Sequence, residues 1–285
     1  VPARDRPLGE AVIAVVFGLL AAIANASQAL VSRRLTFRYP ARQLIGVLYV
    51  LNCCVLLPFA PFVPWHWSPE IVLLHLVSAG LMVVTAIAIW DMFDRGEASS
   101  VTTASALSPI SAALFAAILL PGAFEAGQAV AAVIVTAGVL WGLGSAFGAV
   151  GRWWVIWRII VGAGGNGLLT VVVKLQSELH VGLIETYVIR TGIAALITLA
   201  LFPPRDIPLS ATPRLFIRSL LVTSSFIFII LGVQQGSPVV VQTLVATTPL
   251  FALAVESWRT RTPPPPRALG AALLVAVGVA VVLLA

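Results

Sequence analysis

Residues 96–110 read GEASSVTTASALSPI, and residues 236–250 read GSPVVVQTLVATTPL. At a shift of 140, Gly96 falls on Gly236, Val101 on Val241, Thr103 on Thr243 and Pro109 on Pro249. Ser108 stands before the first proline and Thr248 before the second. The match runs on without a gap: Ala131 and Ala132 meet Ala271 and Ala272, and Gly138-Val139 meets Gly278-Val279. At a shift of 141, Asn25 meets Asn166. Alanine and valine coincide by chance in an apolar chain, so the prolines, glycines and asparagines carry the weight. The chain is an internal duplication.

Around these stretches the chain is apolar almost throughout. Of 285 residues, 60% are hydrophobic and 10% charged, with a mean hydropathy of +1.04. A soluble domain carries roughly a quarter charged residues. This chain has too few to clothe a surface in water, and lipid is its natural solvent. Continuous apolar runs lie near 9–32, 41–63, 70–92, 98–120, 126–148, 153–175, 183–203, 213–233, 238–257 and 266–285. Each is long enough to cross a bilayer as a helix, and none alternates as a barrel strand would. The fold class expected is all-α, ten transmembrane helices, with one five-helix unit at 1–150 and a second at 151–285. Five crossings is an odd number, so the second unit enters the membrane from the opposite face. Inverted repeats of this kind are a hallmark of secondary transporters.

Proline inside a helix leaves a carbonyl four residues back without its donor. Pro109 does this to Ser105 and Pro249 to Val245, and both are read as hinges. Polar side chains are costly in lipid and turn toward a cavity or a partner helix. The substrate-pathway candidates are therefore Asn25 and Gln28 in the first span, Trp90 at the end of the third, Thr102 and Ser105 in the fourth, Asn166 and Thr170 in the sixth, and Gln242 and Thr243 in the ninth. Trp90 is read either as a recognition wall or as part of an interfacial belt. Trp153, Trp154, Trp157 and Trp258 flank loops and read as belt. The Gly138-to-Gly142 and Gly144-to-Gly148 spacings predict close packing of the fifth helix on the tenth.

These features resemble the drug/metabolite transporter superfamily in its EamA-type ten-helix branch. The resemblance lies in the two proline-bearing stretches, the glycine-rich fifth and tenth helices, and Asn166 followed by Lys174. Arg190 in the seventh span resembles an arginine frequent in that family, while the second span of this chain offers Tyr49 instead. The resemblance implies a cavity lined by helices 1, 3, 4, 6, 8 and 9. It also implies alternating-access movement of small metabolites, amino acids or related compounds, as an exporter, facilitator or exchanger in a bacterial inner membrane. A flippase of the same fold for lipid or amphipathic cargo is the alternative.

Other classes fit poorly. The adjacent Cys53 and Cys54 imply neither a disulfide framework nor a metal site. Three histidines and scattered acids are a poor kit for a membrane enzyme. No catalytic residue, metal or cofactor is expected, and the partners are a small-molecule substrate and membrane lipids, with the chain a monomer. The first apolar run does not read as a cleavable signal peptide. The net charge of +6 sits in short loops, so nucleic acid is not expected. Thirteen of the 17 basic residues, Arg38, Arg205 and Arg218 among them, flank the odd-numbered loops. Basic loops stay cytoplasmic, which puts both ends of the chain outside, whereas the resemblance implies both inside. Glu10, Asp91, Glu185 and Glu256 read as span-end residues and His75 as interfacial. No proton-carrying site is expected, and a gradient-driven facilitator or exchanger follows.

Overall fold

The computed structural model describes residues 8–36, 38–94, 98–120, 126–143, 153–261, 263 and 266–284. Among these the secondary structure is helical, with no strand. The elements are α1 (Leu8–Thr36), α2 (Ala41–Leu56), α3 (Pro69–Asp94), α4 (Ala98–Leu119), α5 (Ala126–Leu143), α6 (Trp153–Glu178), α7 (Leu183–Leu201), α8 (Thr212–Gln235), α9 (Pro238–Val245), α10 (Thr248–Thr260) and α11 (Pro266–Leu284). They make ten crossings, because α9 and α10 are two pieces of one. Six helices are long and apolar enough to span a membrane, and four shorter apolar stretches fill the remaining places.

In lipid every backbone group must find its partner inside the chain, and only the helix does that within a single segment. Proline and the left-handed region punctuate the series. Prolines open α3, α9 and α11, where a missing N–H costs nothing. His180 (φ 61°) follows α6, and Arg261 (φ 54°) closes α10. The outer surface is a coat of exposed aliphatic side chains such as Leu76, Val84, Leu114, Val133, Leu196 and Leu273. In water such a coat would drive association; in a bilayer it is the solvated face.

The contacts between the two halves are reciprocal. The first helix of each half packs on the third of the other, α1 on α8 and α6 on α3. The second helices pair across the halves, α2 on α7, and so do the last, α5 on α11. Small residues permit the close approaches. A Cβ on Gly278 would lie 2.4 Å from Val135, and one on Gly138 would lie 2.8 Å from Leu274, so the α5–α11 packing expected from the glycine spacing is present at these positions. Gly142, Gly144 and Gly148 have side-chain environments outside the described residues.

The duplicated prolines differ. Pro109 sits inside a continuous α4. At the matching place the ninth crossing breaks at Ala246 and Thr247, and Pro249 opens α10. The Val245 carbonyl, which Pro249 leaves without its helical donor, accepts instead from the Thr248 hydroxyl at 2.6 Å. The Thr247 hydroxyl donates to the Leu244 carbonyl at 2.6 Å, beside the Thr247 backbone N–H at 3.0 Å. Two consecutive threonines thus satisfy the broken ladder.

Candidate functional site

The two halves enclose a central cavity of about 380 Å³. Asn25 and Gln28 reach it from α1, Trp90 from α3, Asn166 and Thr170 from α6, and Gln242 with Pro249 from the broken ninth crossing. The duplicated asparagines therefore meet at one place. Gln28 donates to the Asn25 Oδ1 at 3.4 Å. Gln242 donates to the Thr170 hydroxyl, which itself donates to the Asn166 carbonyl at 2.9 Å. This contact ties α9 to α6.

Not every expected residue arrives there. Thr243 is fully buried, but it faces away from the cavity and donates to the Val239 carbonyl at 2.7 Å. One residue of helix turns a side chain by about 100°, and Gln242 holds the inward position. Thr102 and Ser105 have side chains outside the described residues; from α4, Ser108 reaches the cavity. Helices α2 and α7 also line it, through Tyr49, Asn52 and Arg190, beyond the six helices that the resemblance implies.

Two arginines change meaning in three dimensions. Arg218 counts as a loop charge in the sequence, yet its side chain is folded into the cavity wall and is 8% exposed. Its Nε donates to the Ser32 hydroxyl at 2.8 Å, and its guanidinium carbon lies 4.9 Å from the centroid of the Trp90 ring. Trp90 is thus a cavity wall and not a belt residue. Arg190 stands about two turns into α7 and is 1% exposed, so it does not snorkel to the interface. Its guanidinium lies over Phe226 at 5.1 Å and Tyr187 at 5.8 Å. Arg190 Nε and Nη2 have no hydrogen-bond partner among the described residues, and the same holds for Gln28 Oε1, Asn52 Oδ1 and Thr85 Oγ1 on the same cavity.

Of the acids that read as span-end residues, Asp91 and Glu185 are buried and engaged. Asp91 accepts from Arg42 at 2.8 and 2.9 Å and from Arg158 at 3.1 Å, fastening α2, α3 and α6 together. Glu185 accepts from the His66 backbone N–H at 2.9 Å and meets its ring nitrogen at 3.0 Å. His75 is 2% exposed, not interfacial. It bonds to Gln176 at 3.0 Å and lies 3.9 Å from Glu185. The reason is the 3₁₀ turn Leu57–Phe62 and the loop after it, which fold over this end and remove it from the surface. No signal in the sequence pairs residues so far apart. Glu10 and Glu256 have side chains outside the described residues.

Ten crossings in two five-helix units around a central cavity form an integral membrane transporter of the drug/metabolite superfamily. The model of the EamA-like transporter family matches the chain twice, over residues 12–143 and 152–284, and the chain belongs to that family. A solved crystal structure shares 18% identity with a TM-score of 0.76, covering 94% of this chain and 95% of its own, which speaks for the fold alone. No curated protein matches the sequence.

Proposed function

We propose that this protein moves small polar metabolites, amino acids or related compounds, across a bacterial inner membrane by alternating access. The observation that carries the reading is the cavity, which polar residues of both halves line together: Asn25 and Gln28 from the first, and Asn166, Thr170 and Gln242 from the second. A volume of about 380 Å³ suits a small molecule, since small-molecule sites run from roughly 300 to 1,000 Å³. Two buried guanidiniums argue for a polar cargo over an acyl chain.

The break at Pro249 supplies a hinge beside that cargo, with Pro109 as its counterpart in the other half. The two halves exchange conformations, and the exchange opens one side and then the other. The protein works as an exporter, facilitator or exchanger and not as a proton-driven pump. No carboxylate lines the cavity among the described residues, and Glu185 is held by His66 away from it.

Counterflow of labelled amino acids and organic acids in liposomes tests this. Uptake should require protein and internal cargo, and should fall several-fold in P249A with the protein still folded. An imposed pH gradient should leave accumulation unchanged; strong proton-driven accumulation would sink the facilitator reading.

A further inference from the structure

We propose that the cavity is built for an anion: a small organic acid whose carboxylate or phosphate is held by Arg190 and Arg218. This assignment rests on the transport reading above and narrows its cargo.

An arginine keeps its charge at any physiological pH. A cation buried between membrane helices is expensive unless an anion meets it. Both guanidiniums line the cavity, and no Asp or Glu lines it among the described residues. The two buried acids on either side are committed elsewhere, Asp91 to Arg42 and Arg158, and Glu185 to His66. The cavity thus carries two positive charges and no charge from the described side chains to balance them.

The hydrogen bonding agrees with the charge. A guanidinium offers five N–H donors. Arg218 gives its Nε to Ser32, while Arg190 Nε and Nη2 have no acceptor among the described residues. Each guanidinium rests against an aromatic face, Arg218 on Trp90 and Arg190 on Phe226 and Tyr187. Stacking holds the charge without using the in-plane N–H fork, the edge that grips carboxylate or phosphate oxygens in pairs. Gln28 Oε1 and Asn52 Oδ1, also without partners among the described residues, are neutral acceptors for a hydroxyl or ammonium on the same cargo. A cargo of net positive charge finds repulsion there and no counter-charge.

Succinate, glutamate, glycerol 3-phosphate, alanine and putrescine are offered singly to purified protein in liposomes, and counterflow is read for each. At least one of the three anions should enter about tenfold faster than alanine or putrescine, as expected for a charge-assisted contact. Glycerol 3-phosphate alone would point to a phosphate; succinate or glutamate would point to a carboxylate. R190Q and R218Q, each checked for a single gel-filtration peak, should lose about tenfold or more of that anion's uptake. If one variant fails to fold, the other and the wild-type ranking decide. Equal or greater uptake of alanine or putrescine overturns the anion site and leaves transport standing. Uptake of none of the five overturns both. Undiminished anion uptake in folded R190Q and R218Q overturns the site.

Discussion

Among the described residues few charged side chains are buried, and Asp91 has a distinct occupation. Asp91 is 6% exposed and shared by two arginines. Its removal would leave Arg42 and Arg158 without a counter-ion at the junction of three helices. Arg42 is half exposed, so water screens part of the loss, and the cost should be about 1–2 kcal/mol. D91N is expected to unfold several degrees below wild type in detergent, and R42A to fall less, because Asp91 then keeps Arg158. Equal stability of D91N and wild type would refute the fastening role. The sequence shows an acid near a span end and several arginines near loops; it does not show which arginine belongs to which acid. Arg42 and Arg158 lie 49 and 67 residues from Asp91, and only the reciprocal helix packing brings them within reach.

At the scale of the helix, glycine decides how closely neighbours approach. α6 carries Gly162, Gly164, Gly165 and Gly167 within two turns. A Cβ on Gly167 would lie 2.5 Å from the Ala112 nitrogen and 2.8 Å from the Ser111 carbonyl carbon of α4, both backbone atoms that have nowhere to move. A Cβ on Gly164 would meet nothing within 4 Å. G167A should therefore lower stability by about 1–3 kcal/mol through overpacking. G164A should be neutral or stabilising by up to about 1 kcal/mol, since alanine favours the helix. Thermal unfolding of the two variants side by side checks the contrast, and equal effects would show that α4 and α6 do not touch as described. The contact also places Asn166, between the two glycines of this pair, beside α4 and the cavity. The break after α9 belongs to this scale too. Proline announces it in the sequence, yet Pro109 sits in an unbroken helix. Whether proline kinks or divides a membrane helix depends on the residues around it, here Thr247 and Thr248, whose hydroxyls cap the interrupted ladder.

For the whole molecule the open arrangement is its direction in the membrane. Arg218 leaves the loop tally for the cavity, and Arg158 is engaged with Asp91. Arg38, Arg205, Arg214 and Arg261 still lie on the same face, beside the odd-numbered loops, and outweigh the other face. The basic face is expected to be cytoplasmic. A phosphatase reporter fused at the C-terminal end should therefore be active outside the cytoplasm. A cytoplasm-specific reporter active at that position would reverse the orientation and with it the sense of import and export.

The sequence by itself determined the solvent, the number of crossings and the duplication. These follow from composition and spacing, which are local and survive in a linear string. It also marked Asn25, Gln28, Asn166, Thr170 and Gln242, because a polar side chain in an apolar run is visible where it stands. The tertiary structure alone decided which of them share a cavity, since facing depends on helix rotation: Gln242 turns in and Thr243 turns away. It alone moved Arg218 from a loop to the cavity wall and gave Trp90 to it as a ring to rest on. Charge and hydropathy are properties of a residue, whereas burial and partnership belong to the packed pair. The repeated proline of 96–110 and 236–250 spans both kinds: its recurrence is written in the chain, and its consequence, one continuous helix and one broken one, arises in the fold.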